Sequence, residues 1–316
     1  MSNKTHTIPE LPRRSVTGQS IAAPTEADFV AKFGNAFPKP RFLKSELGTT
    51  AVYDIPPPSG QVKRQVLIIH GMNTPALGMS ALAKELQTLD PDAHVALYDL
   101  WGHGLSSTPL ATHTPQIFHF QIFQVLAFMK WTSPHMLGFS FGGSTAVSFT
   151  LNNPWVASSV TLLAPAGTAY QAFSNEVLDF LNAPPSRDSE AAEAFLDALE
   201  GGPLVVPADW QERTRAGEFV AEAFRQWELD AHDGYRSSVL SMVRNGVFGC
   251  EDMFREFVRL SVKKKTILAE LDPVCTQDQL VELGFTDVVV VKNVHHGFLR
   301  QVPGEVARIV HKFWTQ

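Results

Sequence analysis

The chain has 316 residues, a net charge of −6, and 44% hydrophobic and 18% charged residues. That balance is ordinary for a soluble globular protein and offers no basic field for nucleic acid or anionic lipid. The length suits one large domain or a core carrying an insertion.

Residues 1–25 mix Ser, Thr, Pro and basic side chains without periodicity and read as a flexible arm. A short helix is expected over Glu26–Phe37, then a hairpin from Phe42–Leu47 and Ala51–Ile55, closed by the break Pro56–Pro58. From there strands and helices alternate. Gln65–His70 is a continuous apolar run of the kind buried on both faces of a sheet. Leu77–Leu89 has helical spacing, Val95–Leu100 is strand-like, and Pro115–Met129 is helical. His135–Phe139 is a strand, Gly142–Leu151 a helix and Val160–Pro165 another strand. Such alternation predicts βαβ units, hence a mostly parallel sheet with helices on both faces.

The pattern then changes. Residues 168–262 show only amphipathic helical segments: Ser174–Leu181, Asp188–Leu199, Asp209–Leu229, Tyr235–Val247 and Asp252–Leu260. The sheet pattern resumes with Lys265–Leu271, a helix at Gln277–Leu283, the strand Asp287–Val291 and a closing helix Gly304–Trp314. The expected organisation is an arm at 1–25, an α/β core at 26–167 and 263–316, and a helical lid inserted at 168–262. The two cysteines, Cys250 and Cys275, stand in no C-x-x-C or zinc-ligand spacing. The polar N-terminus has no apolar signal core, and the longest apolar stretch, Ile117–Trp131, is interrupted by His119, Gln121, Gln124 and Lys130. These features predict a cytoplasmic protein with no membrane span.

The strongest motif is Gly138-Phe139-Ser140-Phe141-Gly142, between an expected strand and an expected helix. A nucleophile at the tip of such a turn sits in strained backbone, and small residues two before and two after let the chain fold back. Chance alone would give about 0.1 such matches in a chain of this length and composition. Ser140 is therefore the candidate nucleophile. An oxyanion needs two preorganised N–H donors, and these are assigned to the backbone of Phe141 and of Met72, in the His70-Gly71-Met72-Asn73 turn after the first core strand. The base and the acid that orients it must come from later strand ends. Asp272 follows the strand Lys265–Leu271, and the doublet His295-His296 follows the last strand; the order Ser140, Asp272, His296 fits.

Eleven histidines make most of them structural, and His103, His113, His119, His135, His232 and His311 are read that way. In Tyr98–Gly104 (YDLWGHG) the glycines read as turn residues near the pocket rim, and Asn73, Trp101 and His295 are expected to line the pocket. No phosphate loop or metal pattern appears, so no cofactor and no metal are expected.

The segments HGMN, DLWGHGLSS, GFSFGG, LLAPAG, LDPVC and HHGFLRQVP, in this order and spacing, resemble the α/β-hydrolase fold superfamily. Within it the chain looks like the lid-bearing branch of esterases, lactonases and C–C hydrolases, over about residues 40–316, the lid matching in position only. The family's small residue before the base histidine is His295 here, while Pro303, seven residues on, aligns His296 as the base.

The resemblance and the motifs together imply a serine hydrolase of a small to medium, apolar ester or lactone, working through an acyl-enzyme. The lid would set substrate choice, with Phe173, Phe180, Leu181, Phe195 and Phe224 as its apolar side chains. C–C bond hydrolysis and acyl transfer use the same residues and stay open. A non-catalytic ligand-binding protein on the same scaffold is the alternative of another class. Ser140 at the elbow argues against enzymes of this fold that need a carboxylate there. The expected partner is a small-molecule substrate, with no nucleic acid; monomer and homodimer both stay open.

Overall fold

The computed structural model describes residues 20–167, 179, 184–200, 203–247 and 249–316. In chain order these form β1 (Ser20–Ile21), α1 (Glu26–Phe33), β2 (Arg41–Ser45), β3 (Gly48–Ile55), β4 (Arg64–Ile69), a 3-10 turn (Ala76–Met79) running into α2 (Ser80–Leu89), β5 (Ala93–Tyr98), β6 (Thr108–Pro109), α3 (Pro115–Met129), β7 (His135–Phe139), α4 (Phe141–Asn152) and β8 (Ser159–Leu163). There follow α5 (Asp188–Glu200), α6 (Trp210–Arg215), α7 (Ala221–Ala231), α8 (Tyr235–Met242) continuing into a π turn (Val243–Val247), and α9 (Glu251–Arg259). The chain closes with β9 (Lys263–Ala269), α10 (Gln277–Glu282), β10 (Val288–Val291), α11 (Phe298–Gln301) and α12 (Pro303–Thr315).

The main sheet has the order β10-β9-β8-β7-β4-β5-β3-β2. Every pair from β10 to β5 is parallel, and the pairs β5–β3 and β3–β2 are antiparallel, so β3 alone runs against the rest. The apolar runs have a direct cause. In β4, Leu67 and Ile69 enter one buried cluster, with Phe118, Phe149 and Phe254 from α3, α4 and α9. Val66 and Ile68 enter the other, with Leu82, Leu86 and Val306 from α2 and α12. A strand covered on both faces favours apolar residues at successive positions.

Local chemistry sets the ends of the elements. Thr25 caps α1, its hydroxyl accepting from Asp28 N (3.1 Å) while the Asp28 carboxylate accepts from Thr25 N (3.2 Å). That helix stops at Gly34, with φ 74°, short of the expected Phe37. The arm expected over 1–25 also ends earlier, because Ser20–Ile21 pair antiparallel with Thr108–Pro109. Residues 1–19 lie outside the described residues.

Between β8 and β9 the described residues are helical and contain no strand. The helix expected over Asp209–Leu229 is instead two, α6 and α7, separated at Gly217, whose φ of 86° no helix accommodates. The helix expected over Ser174–Leu181, with Phe180 and Leu181, falls outside the described residues apart from position 179, and Phe173 also lies outside them. Phe195 is buried on α5. Phe224 stacks on Phe33 of α1 (ring centroids 3.9 Å apart) and meets Phe29, Phe37 and Phe219, so it ties α7 to the N-terminal helix. Among the described residues, no helix is long and apolar enough to cross a membrane.

Candidate active site

Ser140 stands between β7 and α4 with φ 53° and ψ −118°. This left-handed geometry costs a non-glycine residue of order 1–3 kcal/mol and persists only where the surroundings impose it. Here they do: Ser140 N donates to Leu163 O (2.9 Å), and Ser140 O accepts from Gly143 N (2.9 Å) and Ala166 N (3.0 Å), pinning the turn to the end of β8. A Cβ at Gly138 would strike the backbone of Gly142, and one at Gly142 would strike the carbonyls of Ile69 and His70. Both glycines are there because backbone crosses backbone.

The side chains chosen from the sequence meet at this turn. His296 Nε2 lies 3.0 Å from Ser140 Oγ, and His296 Nδ1 lies 2.7 Å from Asp272 Oδ2. Asp272 follows β9, where Leu271 N donates to Val294 O (2.9 Å) and joins the two strand ends that carry acid and imidazole. Its other oxygen, Oδ1, accepts from Val274 N (2.8 Å), so both carboxylate oxygens are held, and the side chain has no exposure. The Phe139 ring lies against His296, centroids 5.0 Å apart. His295 is exposed; its carbonyl accepts from Phe298 N (2.9 Å), and no contact joins its ring to Ser140 or Asp272.

Phe141 opens α4, where first-turn N–H groups have no partner inside the helix. Met72 follows β4 and shares a buried cluster with Phe141. Gly71 packs closely there: a Cβ would come within 3.1 Å of both Ser140 Cβ and the Phe139 ring. The peptide bearing the Met72 N–H also bears the Gly71 carbonyl, which lies 2.6 Å from His70 Nδ1. Leu100 N donates to His70 Nε2 (2.8 Å), so the ring's proton must sit on Nδ1, facing Gly71 O. Burial, with His103 close by, pushes His70 well below the ordinary histidine range and keeps it neutral.

Sequence reasoning missed other residues of this layer. His103, read as structural, has Nε2 2.6 Å from Met72 O and Nδ1 3.1 Å from Trp101 O. Burial lowers it to about 4, and Met72 O is the nearer of its two carbonyl partners. Asp99 is buried and accepts from Tyr53 Oη (2.9 Å), Ala76 N (2.8 Å) and Leu105 N (2.9 Å). Burial raises it to about 6 against the pull of those bonds. Glu228, from α7, accepts from Gly104 N (2.7 Å). It has no exposure, and burial pushes it up to about 8. Asn73 Oδ1 accepts from Tyr235 Oη (3.2 Å). Trp101, expected to line the pocket, does not: it is fully buried in the core, its Nε1 donating to Ile117 O (3.4 Å). The GHG turn was the one local trace of His103, whereas Tyr235 and Glu228 act over more than 100 residues of chain and leave no spacing to read.

A mostly parallel eight-stranded sheet with a strained serine elbow at a strand's carboxyl end is the architecture of a hydrolase, and residues 66–309 match the alpha/beta hydrolase family, to which the chain belongs. Solved structures agree on the fold. The enol-lactonase from Burkholderia xenovorans LB400 superposes with a TM-score of 0.66 at 18% identity, over 87% of this chain and 100% of that one. Naproxen esterase from Bacillus subtilis gives 0.61 at 16% identity, over 91% and 95%. The meta-cleavage product hydrolase of Pseudomonas fluorescens IP01, in a mutant form complexed with acetates, gives 0.60 at 18%, over 87% and 98%.

Proposed function

We propose that the protein is a serine hydrolase of carboxylic esters or lactones, with Ser140 as nucleophile, His296 as general base and Asp272 as the orienting acid. The observation that carries this reading is one continuous path, Ser140 Oγ to His296 Nε2 (3.0 Å) and His296 Nδ1 to Asp272 Oδ2 (2.7 Å), on a strained elbow. Asp272 holds the neutral imidazole with its proton on Nδ1, leaving Nε2 free to take the serine proton.

As the Ser140 Oγ–carbon bond forms, that proton moves to His296 and the carbonyl oxygen becomes an oxyanion facing Met72 N–H and Phe141 N–H. Collapse expels the alkoxide, which takes the proton from His296. Water then attacks the acyl-enzyme, giving its proton to His296; the second intermediate collapses, the Ser140 Oγ–carbon bond breaks, Oγ takes that proton back from His296, and the acid is released. The helices between β8 and β9 serve as the lid that selects substrate. Members of the fold named as esterases and a lactonase support the ester and lactone class.

The test is a panel of p-nitrophenyl esters of increasing chain length, lactones and a vinylogous diketone, each with wild type and Ser140→Ala. Turnover of esters or lactones that drops at least about 10³-fold in the variant is expected. Near-wild-type ester turnover by Ser140→Ala overturns the assignment, and turnover of the diketone alone replaces it with C–C hydrolysis.

A further inference from the structure

The peptide planes on either side of Met72 are each held by an imidazole of the core, and a tyrosine of the helical insertion packs on this layer. Below, His70 grips the Gly71 carbonyl. Above, His103 grips the Met72 carbonyl, so the peptide planes on either side of the Met72 Cα are each fixed by one imidazole. Tyr235 completes the upper layer. It lies on α8, is 1% exposed, donates its hydroxyl to Asn73 Oδ1, and sets its ring edge-on against His103 with centroids 5.3 Å apart.

Tyr235 is itself immobilised by buried bonds between the insertion and the loop after β5. Ser238 Oγ donates to Trp101 O (2.8 Å), His113 N donates to Ser241 Oγ (2.9 Å), and His232 Nε2 bonds Ser106 O (2.9 Å). Gly102 allows this approach, because any Cβ there would collide with Ser238. Displacing a donor by about 1 Å can cost up to about 10²-fold in rate, so a brace on the donor loop acts on chemistry although it touches no substrate.

We propose that Tyr235, acting through Asn73 and alongside His103, is a positioning residue that keeps the Met72 N–H aimed at the oxyanion, so that the insertion is part of the catalytic framework as well as a roof. This rests on the serine-hydrolase reading above. Tyr235→Phe keeps the ring and removes only the hydroxyl. With p-nitrophenyl acetate, kcat per Ser140 titrated with a fluorophosphonate should fall about 10-fold while KM stays within about two-fold. Affinity for a trifluoromethyl ketone, whose adduct places an oxyanion in the hole, should fall by the same factor as kcat/KM. Adding Asn73→Ala to Tyr235→Phe should cost little beyond Asn73→Ala alone, since one bond joins the two.

Titration per site separates a positioning role from a folding one, because misfolded protein lowers the titre and not kcat per site. Wild-type kcat per site and wild-type ketone affinity in Tyr235→Phe overturn the inference, as do additive losses in the double variant. A wild-type protein that fails to react with the fluorophosphonate overturns the serine-hydrolase reading instead.

Discussion

The two adjacent histidines show how little backbone separates the proposed base from its neighbour. His296 turns inward, where Asp272 and Ser140 take one ring nitrogen each, while His295 faces solvent. His296→Ala should therefore fall to the level of Ser140→Ala in ester hydrolysis, and His295→Ala should keep at least about a tenth of wild-type kcat/KM; the reverse ranking would move the base to His295. Asp272→Asn should retain KM and lose roughly 10³–10⁴ in kcat, because an amide can favour the wrong imidazole tautomer; full activity in that variant would dismiss Asp272. Glu228 gives a prediction of another kind. Its folded-state value of about 8 is above an unfolded carboxyl's about 4.3, so between those pH values the folded protein binds the extra proton and stability falls as pH rises. Glu228→Gln copies the protonated form and keeps an acceptor for Gly104 N. Its Tm should match wild type near pH 5 and exceed it increasingly towards pH 8.5. A Tm difference that does not change with pH would refute this.

At the scale of elements, the helices between β8 and β9 are bound to the core at several places, two of which involve Tyr235 and Phe224. Tyr235, Ser238 and His232 hold α8 and its approach to the loops after β4 and β5, and the aromatic cluster around Phe224 holds α7 to α1. Phe224 was a reasonable choice for a lid's apolar underside, since an amphipathic helix does not declare which neighbour its apolar face will meet. Its ring is stacked on Phe33, so Phe224→Ala should cost about 3–5 kcal/mol of stability, read from a urea midpoint, with the ranking of long and short esters unchanged. A changed ranking at wild-type stability would return Phe224 to the pocket. The strands were legible because burial on both faces forces continuous apolar runs, as in Val66–Ile69, and α3 because Pro115 opens it in a helical run. The break at Gly217 was not legible: the flanking residues keep helical periodicity, and only the backbone angle interrupts it.

For the whole molecule, the sheet order puts the ends of β4, β7, β9 and β10 along one edge, and those ends deliver Met72, Ser140, Asp272 and His296 to one place. That convergence was readable from strand order and motif order together, because parallel strands aim all their following loops the same way. The proposed brace on the Met72 loop was not, since Tyr235 and Asn73 are 162 residues apart and meet only through the fold. Charged Glu228 on an amphipathic helix reads as solvent-facing, yet the turn at Gly104 draws it inside. The proposed chemistry depends on one reactive oxygen. Its most direct test is peptide mapping by mass spectrometry after brief exposure of the native protein to a fluorophosphonate. A single adduct on Ser140, absent from Ser140→Ala and strongly slowed in His296→Ala, is the predicted result. No adduct, or an adduct on another residue that survives Ser140→Ala, would contradict it.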